Sequence, residues 1–542
     1  MKTRSLVALA ATTVVAAAFT PLTANAATTT MHSSSISGVH SSAIRNLLSS
    51  AKAKPAVTHA TTTGPVTASL NAGVDGALTV LADTSASTTS ASGATIASVS
   101  FTYGDGSAAT TSTTHTYATA GTYTITATVT DSAANSATTS VSFTTLGSDY
   151  TAYGPTRILD TRTGTGTNGT ATKVGADSTL KLKVAGAGIS GNTIPSGVTA
   201  VVMTLTVTDP TKAGYITAYD DGDTQPTTSS VNYAPGETVP NLVVVPVGAD
   251  GYVDLYNASK GSTDLVADVS GYFTPTSGSQ YVAIPDYRLL DTRTGTGQGG
   301  LQQKDAAYST LTVTVAGADG GTLPSTGITA VALNLTVTNP TQAGFLTAYP
   351  SGSGLPNSSN VNFGKGETVP DEVIVPVGAD GKIKIYNASK GTSDIIADVS
   401  GYFTTSTSVT TSAFVPLPPT RVLDTRDPTL WSGNGPLAAN TYYGVESEPA
   451  GMGITSLVLN ATVTNPETNG YVTLYPYNNG STSEIPNASN VNYGHNETVA
   501  NLAIASLGTT ADSNGAIDLG IANTSNGTTD FILDMTGIFA SQ

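Results

Sequence analysis

One motif recurs at a domain-sized interval. Leu159 to Gly166 reads LDTRTGTG, Leu290 to Gly297 repeats it letter for letter, and a third copy, LDTRDP, begins at Leu423. A whole frame repeats around it: Arg162, Arg293 and Arg426; Asn232, Asn362 and Asn492; Glu237, Glu367 and Glu497; Asp268, Asp398 and Asp534. The three asparagines stand 130 residues apart. A solenoid unit runs about 20 to 50 residues and cannot bury a core alone. A unit of this length is near the commonest domain size and can. The chain must therefore solve one folding problem three times, with boundaries expected at 150–274, 280–404 and 413–542.

Each copy reads as strands. In the first these are LKLKV, AVVMTLTVT, GYITAY, SVNY, NLVVVPV, YVDLYN and DLVADVSGYF. Met203, Leu205 and Val207 alternate with Thr204, Thr206 and Thr208, the period of two that gives a strand one apolar and one polar face. The Pro and Gly turns DPTKAG, NPTQAG and NPETNG separate the strands. Short strands, many turns and no helical period predict an all-β sandwich or jelly roll rather than a propeller or parallel sheet. The polar stretches after Gly271 and Gly401 read as short linkers, with beads on a string as the default picture and packing between beads as the alternative. The chain has no Cys, which excludes disulfide staples, cysteine nucleophiles and thiolate metal sites. Its net charge of −16 disfavours nucleic acid as a partner.

The first 26 residues carry Lys2 and Arg4, an apolar run and the small-residue ending ANA at Ala24 to Ala26, the pattern of a secretory signal peptide. No later segment offers the roughly 18 apolar residues of a spanning helix. Residues 27–63, rich in Ser, Thr and Ala, read as a flexible linker. From 64 to 146 the chain again alternates, as in TYTITATVTD, and GDGS at Gly104 to Ser107 signals a hairpin turn. The YGDG turn, His115 and Tyr117 followed by Gly121 and Tyr123, and the closing Asp131 resemble the PKD domain, an immunoglobulin-like sandwich of secreted proteins. Where that family usually has Trp-Asp-Phe before its turn, this chain has Phe101, Thr102 and Tyr103. The resemblance implies a spacer or interaction module without catalysis. The triplicated frame, from RLLDTRTGTG to DVSGYF, is similar to a repeat of secreted actinobacterial surface proteins, which implies a cell-envelope setting and no defined activity.

Three polar constellations are candidate sites. Asp160 with Arg162, Asp291 with Arg293 and Asp424 with Arg426 flank a Thr, and each pair can bind a sugar hydroxyl or acid, or clamp the first strand. Asn232, Tyr233 and Glu237, matched by Asn362, Phe363 and Glu367 and by Asn492, Tyr493 and Glu497, combine amide, ring and carboxylate, the groups that suit a sugar's hydroxyls and C–H faces. The same groups can instead lock a turn. Asp264 with Asp268, Asp394 with Asp398, and Asp530 with Asp534 are four apart, roughly 13 Å along a strand, too far to share one cation. The expected role of Asp268 is as partner to Arg162 or to backbone amides. No G-x-S-x-G elbow is present, and His115 and His495 do not recur between copies, so no triad is expected.

These features predict an all-β, multidomain, non-catalytic protein without metal or cofactor, exported to the cell surface or wall, binding polysaccharide or envelope glycans through its repeats. The alternatives are a structural spacer or self-assembling surface protein, and an unrecognised extracellular hydrolase. Three equal sites would gain from avidity.

Overall fold

The computed structural model describes residues 35–40, 57–189, 191–318, 321–406, 408–433, 435–449, 453–478, 484–511 and 516–541. The expected signal peptide lies outside them. Regular structure among these residues is β-strand, and no helix is long and apolar enough to cross a membrane.

The first repeat folds as two four-stranded antiparallel sheets. One orders Asp149–Asp160, Asp264–Thr274, Ala200–Thr208 and Thr238–Pro246; the other orders Ser178–Lys183, Tyr252–Asn257, Gly214–Asp220 and Val231–Tyr233. First strand beside last, and second beside next to last, is the interleaving of a jelly roll. The second repeat places Gln280–Asp291, Asp394–Thr404, Ile328–Thr338 and Val369–Pro376 in the same order, and the third does so with Ser412–Asp424, Asp530–Ser541, Ile454–Thr464 and Val499–Ser506. The apolar face of each strand fills the space between its own sheets: Met203, Leu205 and Val207 meet Leu182, Ile216 and Leu255.

The threonine face is not wet. Thr204 and Thr206 are buried, as are Ala200 and Val202 on the same strand, because the first sheets of all three repeats pack on one another. The contacts close in a ring. Leu242 N donates to Asp371 Oδ1 (3.2 Å), Glu372 N to Asn501 Oδ1 (3.0 Å), and Leu502 N to Asn241 Oδ1 (3.0 Å). First repeat thus binds second, second binds third and third binds first, around a pseudo-threefold axis. The aromatics follow the same cycle: Tyr150 packs on Phe403 (4.2 Å between centroids), Tyr281 on Phe539 (4.3 Å) and Phe414 on Phe273 (4.3 Å). Burying each ring contributes roughly 1.5–3 kcal/mol. The beads-on-a-string expectation is corrected: the linkers are short, and strand faces apolar on both sides need partners from the neighbouring repeats.

The Gly of the closing GYF triplet has a packing reason. The Tyr281 ring lies over Gly401 and donates its hydroxyl to Ser400 O (2.9 Å), and any Cβ at Gly401 would collide with the ring. Gly271 is covered in the same way by Tyr150.

Ahead of the repeats, Val57–Thr63, Val66–Val74, Thr79–Asp83 and Thr114–Thr116 form one sheet and Ile96–Thr102, Thr122–Asp131 and Ser136–Thr144 another. Phe101, Tyr103, Tyr117, Ile125 and Phe143 are buried in its core. The GDG turn is held by Asp105, whose carboxylate meets His115 Nε2 at 2.7 Å, and His115 in turn stacks on Tyr103 (4.3 Å). Asp149 joins this domain to the repeats. Its carboxylate accepts from Ala120 N (3.3 Å), Gly278 N (3.1 Å) and Gln280 Nε2 (3.2 Å), and burial pushes its pKa up to about 6.

The flexible-linker reading of 27–63 also needs correction. Ser35–His40 pairs in parallel with Thr441–Pro449, and Val57–Thr63 pairs with Val66–Val74. At Val57–Thr63 composition misled because threonine is polar yet β-branched, and an edge strand needs only the second property.

Candidate functional site

The Asp-Thr-Arg triplet closes a tight turn at the end of each first strand. Arg162 donates through Nε and Nη2 to both oxygens of Asp160 (2.9 and 2.8 Å), and Thr161 Oγ1 donates to Asp264 (2.7 Å) while accepting from Leu265 N (3.0 Å). The Arg162 guanidinium holds the Asp160 carboxyl below its usual range. The same bonds recur at Asp291 with Arg293 and at Asp424 with Arg426. The expected partner of Asp268 is corrected: it is Arg157, bidentate at 2.9 and 3.0 Å, with Arg288 on Asp398 and Arg421 on Asp534 in the other repeats. Arg157 is one strand across in register with Asp268, whereas Arg162 has already left the sheet. Among the described residues no group of His, Cys, Asp and Glu is placed to hold a metal ion.

The Asn, aromatic and Glu signature divides. Tyr233, Phe363 and Tyr493 point into their own cores and cannot reach a ligand, because they alternate with half-buried Asn232, Asn362 and Asn492 on three-residue strands. Tyr233 donates to Asn257 Oδ1 (2.6 Å). Glu237, Glu367 and Glu497 cap their own turns, accepting from Ala234 N (2.7 Å), Gly364 N (2.6 Å) and Gly494 N (2.6 Å). The three glutamates nevertheless come together, since after burial it is the charges of Glu237 and Glu367 that raise the pKa of Glu497.

A cleft of about 380 Å³ lies between the first and second repeats. The first repeat contributes Arg157, Arg162, Thr206 and Thr208; the second contributes Phe345, Leu355, Asn357, Ser358, Asn362 and Tyr386. Only Arg162 and Asn362 among the sequence candidates line it, one from each repeat. Phe345 is 37% exposed and Leu355 52%, so the rim is apolar, whereas the floor is polar. Three fully buried atoms behind this lining, Thr206 Oγ1, Ser358 Oγ and Asn362 Oδ1, have no hydrogen-bond partner within the protein, and neither have their counterparts Thr462 Oγ1, Thr228 Oγ1 and Asn232 Oδ1 where the third repeat meets the first. Both arginines are already matched by Asp160 and Asp268, so the cleft offers donors without net positive charge.

Phe345, Asn357, Tyr386 and Arg157 were missed in the sequence. Arg157 had a readable signal: it recurs as Arg288 and Arg421, five residues before each triplet arginine. The others gave none, since the cleft is built from two repeats and no single copy shows it.

A family model of the PKD domain matches residues 63–145, the segment whose YGDG turn carried that resemblance. No curated protein sequence matches the chain. Among solved structures, the PKD1 domain of Vibrio anguillarum Epp is similar at 21% identity, covering 17% of this chain and 89% of that one, with a TM-score of 0.11. The PKD1 domain of the Vibrio cholerae metalloprotease PrtV is similar at 26% identity, covering 17% and 93%, with a TM-score of 0.11. A structure of carbohydrate-binding modules from the β-sandwich superfamily is similar at 14% identity, covering 40% and 97%, with a TM-score of 0.16.

Proposed function

We propose that this protein is an exported, non-catalytic glycan-binding protein of the cell surface, whose binding site is the cleft between the first two repeats. The observation that carries this reading is the pairing of an exposed ring, Phe345, with a cleft lined by threonine, serine and asparagine side chains. A sugar presents C–H groups to a ring and hydroxyls to polar atoms, so one pyranose matches both surfaces. Because the arginines are charge-matched, the reading favours neutral polysaccharide over uronates or sulfated chains.

The test is a glycan array and a cell-wall polysaccharide pull-down with the intact chain. Phe345→Ala removes the platform and weakens binding about tenfold, about 1.4 kcal/mol, with an unchanged melting temperature. Asn362→Ala also weakens binding, whereas Asn232→Ala and Asn492→Ala leave it within about twofold because they line the other two interfaces. No saturable binding by the intact chain would move the reading to a structural spacer, for which the closed ring of repeats and the junction at Asp149 provide the stiffness.

A further inference from the structure

The three interfaces of the ring are not equivalent, and the difference lies in one row of residues. On the third repeat, Asn460 Nδ2 donates to Ser229 O of the first (2.5 Å), and Asn460 Oδ1 accepts from Asn241 Nδ2 (2.8 Å). On the second, Asn334 Nδ2 donates to Ser489 O of the third, and its Oδ1 accepts from Asn501 Nδ2 (3.2 Å). Arg288 Nη2 adds a bond to Asn487 O (2.7 Å). Each asparagine therefore latches the neighbour's loop against the sheet. The first repeat carries Thr204 at this position, and its partner across the interface is Asp371 rather than Asn. Thr204 is too short to reach Ser359 O, the counterpart of Ser229 and Ser489; its hydroxyl only meets Asn360 Nδ2 at 3.5 Å. Loop 355–359, which this latch would hold, is the wall of the cleft.

We propose that Thr204 is the positioning residue that opens the cleft, and that it makes the chain a single-site binder. This rests on the cleft being the glycan site. The repeats are triplicated for closure of the ring, and two of the three equivalent positions carry an asparagine latch. One missing latch creates the site. Avidity between repeats plays no part, so multivalent binding requires several chains.

The test uses the full chain with Thr204→Asn plus Asp371→Asn, which recreates the amide pair of the other two interfaces, beside Asp371→Asn alone. Hydrogen exchange of 355–359 is read without any ligand, and binding is read with cellohexaose, maltohexaose and mannohexaose. The double variant slows exchange of this loop about tenfold relative to Asp371→Asn alone and loses hexasaccharide binding, which Asp371→Asn alone retains. Conversely, Asn334→Thr speeds exchange of 485–489 in the third repeat. Unchanged exchange at 355–359 in a folded double variant would overturn the latch. Slowed exchange with binding intact would leave the latch standing and place the glycan site elsewhere. If the wild type binds none of the three sugars, the functional reading loses its support, while the exchange result still decides the role of Thr204.

Discussion

Phe403→Ala destabilises all three repeats together, by about 3–5 kcal/mol, the usual cost of truncating a buried ring to methyl. Phe403 is fully buried, packs on Tyr150 of the first repeat at 4.2 Å, and lies 5.3 Å from Tyr281 and 5.9 Å from Phe539 of the third. Its removal leaves a cavity on the axis, lined by rings that come from three different repeats. None can collapse into the space without leaving its own partner. Calorimetry and near-ultraviolet circular dichroism should show the whole repeat transition moving to lower temperature. If only the second repeat melted early while the others kept their midpoint, the rings would not be a shared core. Val129 lies in an apolar cluster confined to the PKD domain, so hydrogen exchange there should be affected least.

Asp371→Asn has the opposite sign and stabilises the protein at neutral pH. Asn241 and Asn501 occupy the matching positions in the other repeats. Asn241 Nδ2 donates to Ser230 O (2.7 Å) and Asn501 Nδ2 to Asn490 O (2.6 Å). Asp371 Oδ1 accepts the Leu242 amide, but its Oδ2 has no partner and the residue is 2% exposed. Burial pushes its pKa well above the ordinary 3.8. Glu372 beside it, 1% exposed, is raised well above 4.5 for the same reason, and only Ser400 Oγ donates to it, at 3.1 Å. A carboxyl whose folded pKa is raised contributes its stability fully below the unfolded value and loses it as pH climbs. Asp149, raised from 3.8 to about 6, adds the same slope across that interval. The triplet acid Asp160 is lowered, so its contribution is present above 3.8 and lost only as pH falls below that. The wild type is therefore most stable in mild acid, between these two regimes. Asp371→Asn gains about 1–3 kcal/mol at pH 7, since it replaces an unmatched buried oxygen by a donor, and the gain shrinks toward pH 4. Urea titrations across that range measure it. A gain that stays constant with pH, or a loss at pH 7, would show that the carboxylate is not the strained group.

Much of the architecture was legible because it is local. Alternation such as Met203, Leu205 and Val207 against threonine sets which face of a strand meets its own core, and Pro-Gly turns set where the chain reverses. The period of 130 residues defined the number of units, and the YGDG turn identified the domain ahead of them. Composition failed at Ser35–His40 and at Val57–Thr63, the second an edge strand of β-branched threonines. The candidate residues were legible as repeated chemistry, but not as to where they point. An aromatic at Tyr233 and a glutamate at Glu237 recur in every copy, yet one is core and the other a turn cap.

The sequence by itself determined three all-β units of one pattern, because the period of side chains along a strand is a property of the strand alone. Only the tertiary structure decided that the second face of each unit is also buried, that the units close into a ring, and that a cleft stays open at one interface. Those outcomes depend on which surfaces meet across more than a hundred residues of chain. There the exchange of one side chain, Asn334 or Asn460 for Thr204, changes what a loop can reach without changing any local pattern.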